Sequence, residues 1–553
     1  MARSMNSLFK LLALLALLAA GGAGVQGASP GAPLSSGFAY QGRLALRGLP
    51  VTGDCDLQFT LWNAATGGAQ LGGLQQLDDV AVSSGRFTVR LNESGEFGAS
   101  AFDGGARWLA IAVRCPAGAG GFTTLDPRQH VDAAPTAQYA LRSGGVAGSP
   151  YAGVIVVATS GGDFTSIQSA LDSVTASEAQ RYLVAVAPGV YTETVTMKPY
   201  VDIAGAGENA TRIVSAGMAV STTGTVVGAS YAELSSLTIE NTGGGLYSIG
   251  IYNEEASPRL AHVTVITHRH ISIAILNRRA APVMRSVSVR AMGGVRTTST
   301  GIQNEASSPD MQDVIAYAGG AVDSMNYGVA NFDGSTPVMR DVLTTGFGGD
   351  GGVGVHNFES SPALVHVVAT GIAGDIVNMG IYNAYCAPTL TDVFVTSATG
   401  VVNVGMLNEY AAPVLRDVTL NVWGGTINNI GMENAYSAPE LYRVVIHASG
   451  GSNAFGIWNE ASTTLISGST ISATQSIGNN YGVYNAPTTG TYTMRIDGSR
   501  IAGDTAAVMS ASQYTTRIGL SFVDGGLLGD GTYHCAGMYD DKYIFNAGPA
   551  CPE

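Results

Sequence analysis

The sequence predicts an all-β protein whose main body is a right-handed parallel β-helix, a single-chain solenoid of about 26 residues per coil. Asparagine recurs at intervals of 24 to 27 residues, a glycine stands three positions before almost every one, and a valine follows about ten positions later. Such a period is the signature of stacked coils, each of which buries apolar surface against its neighbours alone. Charged residues make up only 12% of the chain, whereas glycine occurs 74 times. This composition favours short strands and tight turns over helices.

The asparagines form the most regular column of the repeat. Equivalent residues of stacked strands lie about 4.8 Å apart, so buried side-chain amides can hydrogen-bond to their counterparts in the coils above and below. An unpaired buried amide would cost about 1–3 kcal/mol. We therefore expect a structural ladder of ten residues: Asn253, Asn277, Asn304, Asn331, Asn357, Asn383, Asn408, Asn434, Asn459 and Asn485.

A second column, nine or ten residues after each asparagine, holds mostly aspartate and histidine. It includes Asp313, Asp341 and Asp417, and Arg340 and Arg416 directly precede the last two. Stacked carboxylates could act as acid and base or bind calcium, and the arginines could hold a uronate carboxylate. Aspartate and histidine also tolerate a left-handed backbone. The pattern favours a plain bend between two strands, and the five residues are the catalytic candidates.

Aromatic residues in two neighbouring columns are the candidate ligand-binding residues. Tyr385, Tyr410 and Tyr436 stand two positions after successive asparagines, and Trp458 stands directly before one. Exposed rings along a solenoid could stack on sugars. Rings on adjacent coils could equally pack on one another and stabilise the column.

The five cysteines predict two disulfides and one buried thiol. Cys55 and Cys115 share an N-terminal module, and Cys535 and Cys551 lie together near the C-terminus, so each pair is expected to be bridged. Cys386 replaces alanine or serine in a column of small residues, so we expect it to be structural. Histidines, cysteines and carboxylates show no spacing typical of a metal site. Apart from the calcium alternative, no metal or other cofactor is expected.

The chain ends and boundaries predict a secreted protein of three parts. Basic residues followed by the apolar run Leu11–Ala20 are typical of a secretory signal peptide, assigned to residues 1–27. A small β-rich module is predicted over 38–143, the β-helix with an N-terminal capping helix over 152–505, and a C-terminal cap over 506–553. After signal cleavage we expect no transmembrane segment and a secreted or cell-surface location. The net charge of −14 argues against nucleic acid as a partner.

The first coils carry three segments with a family resemblance: Gly162–Leu171, Pro188–Glu193 and Gly205–Gly207. They resemble the N-terminal end of pectin esterases, members of the pectin-lyase-like superfamily of right-handed parallel β-helices, over about 60 residues. The resemblance implies this fold and a carbohydrate-related role. The Gln-Asp-Thr-Leu and Asp-Phe-Ile-Phe-Gly segments that carry the chemistry of that family are missing, so no catalytic residue can be transferred.

Together these features favour a non-catalytic function. The preferred interpretation is a structural or adhesive β-helix that binds polysaccharide or a cell-surface partner along its length. The alternative is a carbohydrate-active enzyme, pectin esterase-like or polysaccharide lyase-like, that acts on a uronate-rich polymer. Because an active site tends to break a repeat, the regularity of the coils favours the first interpretation.

Overall fold

The computed structural model describes residues 38–46, 49–83, 85–98, 101, 107–131, 151–217, 220–294, 297–540, 542–548 and 551. The predicted signal peptide, 1–27, lies outside the described residues, as does the end of the predicted N-terminal module, 132–143. The chain divides into two compact units, Met1–Ala134 and Pro135–Glu553. Each is described by itself.

The N-terminal unit is an antiparallel β module. Its main sheet has four strands in the order Gln70–Val82, Gly53–Trp62, Trp108–Arg114 and Thr123–His130. Two small antiparallel pairs accompany it: Phe38–Arg43 with Arg86–Leu91, and Ala45–Leu46 with Leu49–Pro50. Alternating residues of the second strand, including Leu57, Phe59 and Leu61, are fully buried, as the period of a half-buried strand requires. The predicted Cys55–Cys115 disulfide is confirmed.

The second unit is a parallel β-solenoid, which confirms the predicted fold. One of its faces, here called the asparagine sheet, contains 14 parallel strands in chain order. The strands are Val195–Thr196, Val226–Val227, Tyr247–Glu254, Ile271–Arg278, Ser299–Glu305, Met325–Phe332, Gly351–Phe358, Val377–Ala384, Val402–Glu409, Asn428–Ala435, Asn453–Glu460, Asn480–Asn485, Ala506–Ser510 and Leu527–Leu528.

The other faces form one sheet that is bent along a line. In five coils a single strand runs through the bend: Glu233–Asn241, Arg259–His268, Val283–Met292, Asp310–Gly319 and Val338–Phe347. In the following coils the bend separates two strands: Ala363–Val365 and Val368–Ile372, Thr389–Thr391 and Phe394–Ala398, Val414–Arg416 and Thr419–Trp423, Glu440–Tyr442 and Val445–Ser449, Leu465–Ser467 and Thr470–Thr474, Tyr492–Asp497 and Arg500–Gly503, Tyr514–Gly519 and Phe522–Asp524, Thr532–Ala536 and Met538–Tyr539. The first coils contribute Gly153–Val157, Tyr182–Val186, Gly189–Thr192, Val201–Gly205 and Thr211–Ser215.

The interior of the solenoid explains the repeating apolar positions. The residue two positions before each asparagine, such as Ile251, and the valine after the bend, such as Val263, belong to one continuous core. Both of these side chains are completely buried. Burial of such a side chain contributes roughly 1.5–3 kcal/mol. Because each coil repeats these positions, the same columns remain apolar along the chain.

A short helix, Ile167–Asp172, covers the N-terminal end of the solenoid. Ile167 and Leu171 are fully buried against the first coil. The N-cap of the helix is Ser166, whose hydroxyl accepts from the Ser169 amide. The carboxylate of Glu193 accepts from the Ile167 and Gln168 amides. A side chain from the first coil thus satisfies the free amides that a helix start leaves.

Parallel coils continue beyond residue 505 into the segment predicted as the C-terminal cap. Ala506–Ser510 and Leu527–Leu528 extend the asparagine sheet, and an antiparallel pair, Met538–Tyr539 with Phe545–Asn546, follows the last coil. The predicted Cys535–Cys551 disulfide is confirmed and ties this segment to the last coil. No helix in the described part of the chain is both long and apolar enough to cross a membrane.

Candidate functional site

The ten predicted asparagines lie in one row inside the solenoid. Each side-chain amide donates to the amide oxygen of the next coil, over distances of 2.7–2.9 Å from Asn253 to Asn485. The row ends on Ser510, whose hydroxyl accepts from Asn485 at 2.8 Å. None of the ten side chains is exposed. The row is therefore a structural element that a ligand does not reach.

The aspartate column lies at the bend between the two other faces. Asp313, Asp341, Asp392 and Asp417 all have left-handed backbone, with φ between 53° and 56°. Their side chains are exposed and bind neighbours in the same column. Asp313 accepts from the Ser286 hydroxyl at 2.7 Å, and Asp417 holds Arg443 through two hydrogen bonds of 2.7 Å. A carboxylate at such a bend stabilises the turn without entering a cavity.

The two candidate arginines point away from the aspartates beside them in sequence. Arg340 pairs with Asp310 at 2.9 Å, and the guanidinium of Arg416 lies over the Tyr442 ring, 4.4 Å from its centroid. Consecutive side chains on a strand normally face opposite sides. At the bend, the left-handed backbone of the aspartate changes the direction of its side chain relative to that of the arginine. The structure therefore does not bring Arg340 and Asp341, or Arg416 and Asp417, together around a common point.

Tyr385, Tyr410 and Tyr436 form an exposed stack. Their ring centroids lie 5.0 and 4.9 Å apart, their planes differ by only 3° and 4°, and about half of each residue is exposed. The two faces of the Tyr410 ring are covered by its neighbours. The stack thus presents ring edges and phenol hydroxyls, which can hydrogen-bond to a ligand, more than open faces for sugar rings.

The outward side of the asparagine sheet contains a groove. It forms because the glycine and the residue after it both face the interior, which shifts the inward–outward alternation of the strand by one residue. In the strand Asn453–Glu460, both Gly456 and Ile457 face the interior: a Cβ on Gly456 would lie 2.5 Å from Cγ2 of Ile471, and Ile457 is fully buried in the core. Residues on either side of this pair consequently lean toward one another. Phe455 and Trp458, three positions apart, contact at 4.6 Å between centroids, although such residues normally face opposite sides of a strand.

We call this surface the outer groove. Its floor is the residue four positions before each of five successive asparagines, Asn357 to Asn459, and these floor residues pack together in a cluster that is separate from the interior core. They are nearly as buried as core residues, with exposures of 0–7%, although they lie outside the coil. The floor residues are Val353, Met379, Val404, Ile430 and Phe455.

Aromatic side chains concentrate at the C-terminal end of the outer groove. Phe455, Trp458, Tyr481 and Tyr484 contact one another at 4.6–6.0 Å between centroids. Trp458, a predicted ligand-binding residue, stands on this wall in partial contact with solvent. Hydrophobic rings of this size favour a ligand that has both apolar and polar faces.

Polar groups border these rings on both sides. On one side, side-chain amides follow three successive coils: Asn453 donates to Asn428 at 3.1 Å, and Asn479 donates to Asn453 at 3.3 Å. On the side of the preceding coil, Glu433 lies between Leu407 and Trp458 in register. Burial, reinforced by the charges of nearby glutamates, raises the pKa of the Glu433 carboxyl to about 7.

A pocket of about 480 Å³ lies on the same outward side of the asparagine sheet, four coils before Trp458. In the column directly before the asparagines, Ala330 lies between Gln303 and His356, and it is the smallest residue of that column. The His356 ring is stacked between Tyr327 and Tyr382 at 5.2 and 4.8 Å. Both of its nitrogens are buried without a hydrogen-bond partner, and burial lowers its pKa to about 4. The pocket is lined by Gln303, Glu305, Phe332, Asp333, His356 and Phe358.

Neither a metal cluster nor a reactive thiol accompanies the groove. Among the residues that the structure describes, no group of three or more His, Cys, Asp or Glu side chains is placed to hold a metal ion. Cys386 is buried, and burial raises the pKa of its thiol to about 12. A thiol with so high a pKa has almost no nucleophilic thiolate at neutral pH.

Sequence reasoning identified Trp458 but missed most of the outer groove. Phe455 and Tyr481 are not among the predicted site residues, because strict alternation places residues three apart on opposite faces. Glu433 and His356 share the column of Trp458, but only their burial between neighbouring coils distinguishes them. The detectable signal was the glycine column itself. A glycine followed by an apolar residue in every coil predicts two inward positions in a row, and hence a bend of the sheet.

Comparisons with known proteins match the N-terminal unit and the general fold. A family model described as a domain of unknown function, DUF8740, matches residues 39–128. None of the curated proteins matches the chain.

Solved structures that match the fold of this chain include three carbohydrate-active proteins. The mannuronan C-5 epimerase A-module of Azotobacter vinelandii is 13% identical, with a TM-score of 0.35, over 70% of this chain and 95% of that one. The carrot pectin methylesterase is 11% identical, with a TM-score of 0.27, over 52% and 81%. The alginate lyase of a Paenibacillus species is 11% identical, with a TM-score of 0.25, over 48% and 95%. The function proposed below rests instead on the residues of the outer groove.

Proposed function

We propose that this protein is a secreted or cell-surface, non-catalytic β-helix whose outer groove binds a polysaccharide that lacks acidic groups. The observation that carries the proposal is the aromatic cluster around Trp458, which lies outside the core on a concave surface and is bordered by side-chain amides. Apolar rings beside a few directed polar groups are typical of ligand sites.

The repeat of the groove suits an extended polymer. Equivalent side chains recur about every 4.8 Å along the solenoid axis, which is close to the length of one pyranose unit in an extended polysaccharide. Asn428, Asn453 and Asn479 each offer an amide that both donates and accepts, as sugar hydroxyls do. A sugar chain aligned with the axis would meet an equivalent partner at each coil.

The charges of the groove disfavour a uronate-rich polymer. The outward columns beside the asparagines contain five glutamates: Glu254, Glu305, Glu409, Glu433 and Glu460. The two nearby arginines are already paired, Arg278 with Glu305 and Arg279 with the glutamates at 254 and 255. A polyanion would therefore meet an uncompensated negative field. Neutral or cationic sugars would not.

The mutual pairing of the exposed side chains at the bend supports a role without turnover. Acid–base catalysis requires the acid and base to converge on one substrate atom within hydrogen-bond reach. At the bend, Asp341 and Asp392 both lie 3.4 Å from the exposed His366, and Asp417 pairs with Arg443. The arginines beside Asp341 and Asp417 bind other partners, so these groups satisfy one another along the column. The two disulfides are consistent with an oxidising, extracellular environment.

The proposal is tested by measuring binding and turnover on the same samples. The purified protein would be titrated by calorimetry with cellohexaose, polygalacturonate and alginate, while methanol, unsaturated products and reducing ends are monitored. We expect binding of cellohexaose, weaker or undetectable binding of the two polyuronates, and no product. Methanol or unsaturated product from a polyuronate, lost in Asp341→Ala and Asp417→Ala, would establish the enzymatic alternative.

A further inference from the structure

The pocket beside Ala330 differs from the rest of the outer groove in both shape and charge. We propose that it is a subsite for the ammonium group of an amino sugar, a 2-amino-2-deoxyhexose unit within the bound polysaccharide. This inference rests on the function proposed for the groove and specifies the ligand class.

The polar atoms free in the pocket are mainly hydrogen-bond acceptors. Gln303 lines the pocket, and its side-chain amide nitrogen is used in a 2.6 Å bond to Glu305, which leaves its side-chain carbonyl oxygen as a free acceptor. The Asp333 carboxylate has no hydrogen bond or ion pair with a described residue. An acceptor-rich pocket fits a ligand that only donates, and an ammonium group, with three donors and no acceptor, is such a ligand.

A second carboxylate lies one coil from Asp333, next to the lining residue Phe358. Asp333 and Glu359 occupy equivalent turn positions on successive coils, where the Gly334 amide donates to the Glu359 carbonyl at 2.9 Å. Both residues have left-handed backbone and are exposed. Neither carboxylate has a cationic partner among the described residues. Two like charges one coil apart repel each other, and a bound cation would remove this repulsion.

Aromatic rings provide the remaining walls. Phe332 and Phe358 line the pocket, and Phe332 meets the His356 ring edge-to-face at 5.3 Å. A cation near the face of an aromatic ring is attracted by the ring quadrupole. The lowered pKa of His356 keeps its ring uncharged at neutral pH, so that it does not repel a cation. Both of its ring nitrogens are buried without a hydrogen-bond partner, and one of them is an acceptor in the uncharged ring.

The pocket and the aromatic cluster can be reached by one sugar chain. His356 and Trp458 occupy the same column, separated by four coil steps through Tyr382, Leu407 and Glu433. At about 4.8 Å per coil this distance is about 19 Å. A hexasaccharide aligned with the axis spans it.

The test uses three hexasaccharides with the same β-1,4 backbone that differ only at carbon 2: chitosan hexamer, chitin hexamer and cellohexaose. Titration of the full chain should show at least tenfold tighter binding of the chitosan hexamer than of the other two. In the double variant Asp333→Asn/Glu359→Gln this preference should fall to within about threefold. Asp392→Asn is the control, because it removes an exposed carboxylate that also has left-handed backbone, with φ of 53°, but lies at the bend beside His366, and it should keep the full preference.

The outcomes separate this inference from the function on which it rests. Equal affinity for all three hexamers, or a preference that survives in Asp333→Asn/Glu359→Gln, overturns the amino-sugar subsite while cellohexaose binding still supports the groove. Failure of all three to bind overturns both. Tighter binding of hexalysine than of the chitosan hexamer, unchanged in Trp458→Ala, would overturn the inference in favour of a protein cation.

Discussion

Substitution of Asn408 by alanine tests the structural ladder at its centre. In the wild type the Asn408 side chain accepts from Asn383 at 2.9 Å and donates to Asn434 at 2.8 Å, and all three side chains are fully buried. The variant leaves one donor and one acceptor of the neighbouring amides without partners. Because each unsatisfied buried group costs about 1–3 kcal/mol, we expect a loss of about 2–6 kcal/mol in the free energy of unfolding.

The assay is urea unfolding followed by far-ultraviolet circular dichroism. Asn421→Ala is the matched control: Asn421 lies on the strand Thr419–Trp423, and its partly exposed side chain makes no hydrogen bond with a described residue. The control should change the free energy of unfolding by less than about 0.5 kcal/mol. Because coils interact mainly with their nearest neighbours, the broken step should also admit protease near residue 408. A loss in Asn408→Ala no larger than in the control would refute the reasoning on the ladder.

Three further predictions follow from burial and charge. Relative to the wild type, Glu433→Gln should gain about 2 kcal/mol in the free energy of unfolding as the pH rises from 4.5 through 7. The wild type loses stability over this range because the carboxyl ionises more readily in the unfolded state than in the folded state, where its pKa is raised to about 7. A difference between the two proteins that is independent of pH would contradict this. Cys535→Ser/Cys551→Ser should lower the free energy of unfolding of the C-terminal coils by about 3 kcal/mol, since the bridge closes a loop of 16 residues. Hydrogen exchange of the amides in the last coils measures this loss, and unchanged protection of those amides would count against the prediction. Asp341→Ala and Asp417→Ala should leave cellohexaose affinity within twofold by calorimetry, because both residues lie at the bend away from the groove; a tenfold loss in either would place the site at the bend instead.

The parallel β-helix and its ladder could be predicted because they depend on a single residue per coil. Stacking aligns Asn253 with Asn277 and every later counterpart, so a linear period in the sequence becomes a row in space. The bend followed from residue type as well: Asp341 and Asp417 stand where the left-handed backbone tolerates aspartate. Both features are local consequences of one coil, repeated.

The outer groove could not be predicted in the same way, because it depends on how neighbouring columns tilt. The shift at Gly456 brings Phe455 and Trp458 to one side, and simple alternation separates them. The tyrosine stack shows the converse. Its residues were recognised, but only the three-dimensional arrangement shows that the faces of Tyr410 are covered by its neighbours. The pocket arises from a single small residue, Ala330, whose effect depends on the larger side chains above and below it.

The most direct test of the proposed function compares the two tryptophans of the solenoid. Trp458 lies on the wall of the outer groove, whereas Trp423 is about 43% exposed at the end of the strand Thr419–Trp423 on another face. We expect Trp458→Ala to weaken cellohexaose binding, measured by calorimetry, at least tenfold, and Trp423→Ala to leave it within twofold. Equal losses in the two variants, or a loss confined to Trp423→Ala, would contradict binding in the outer groove.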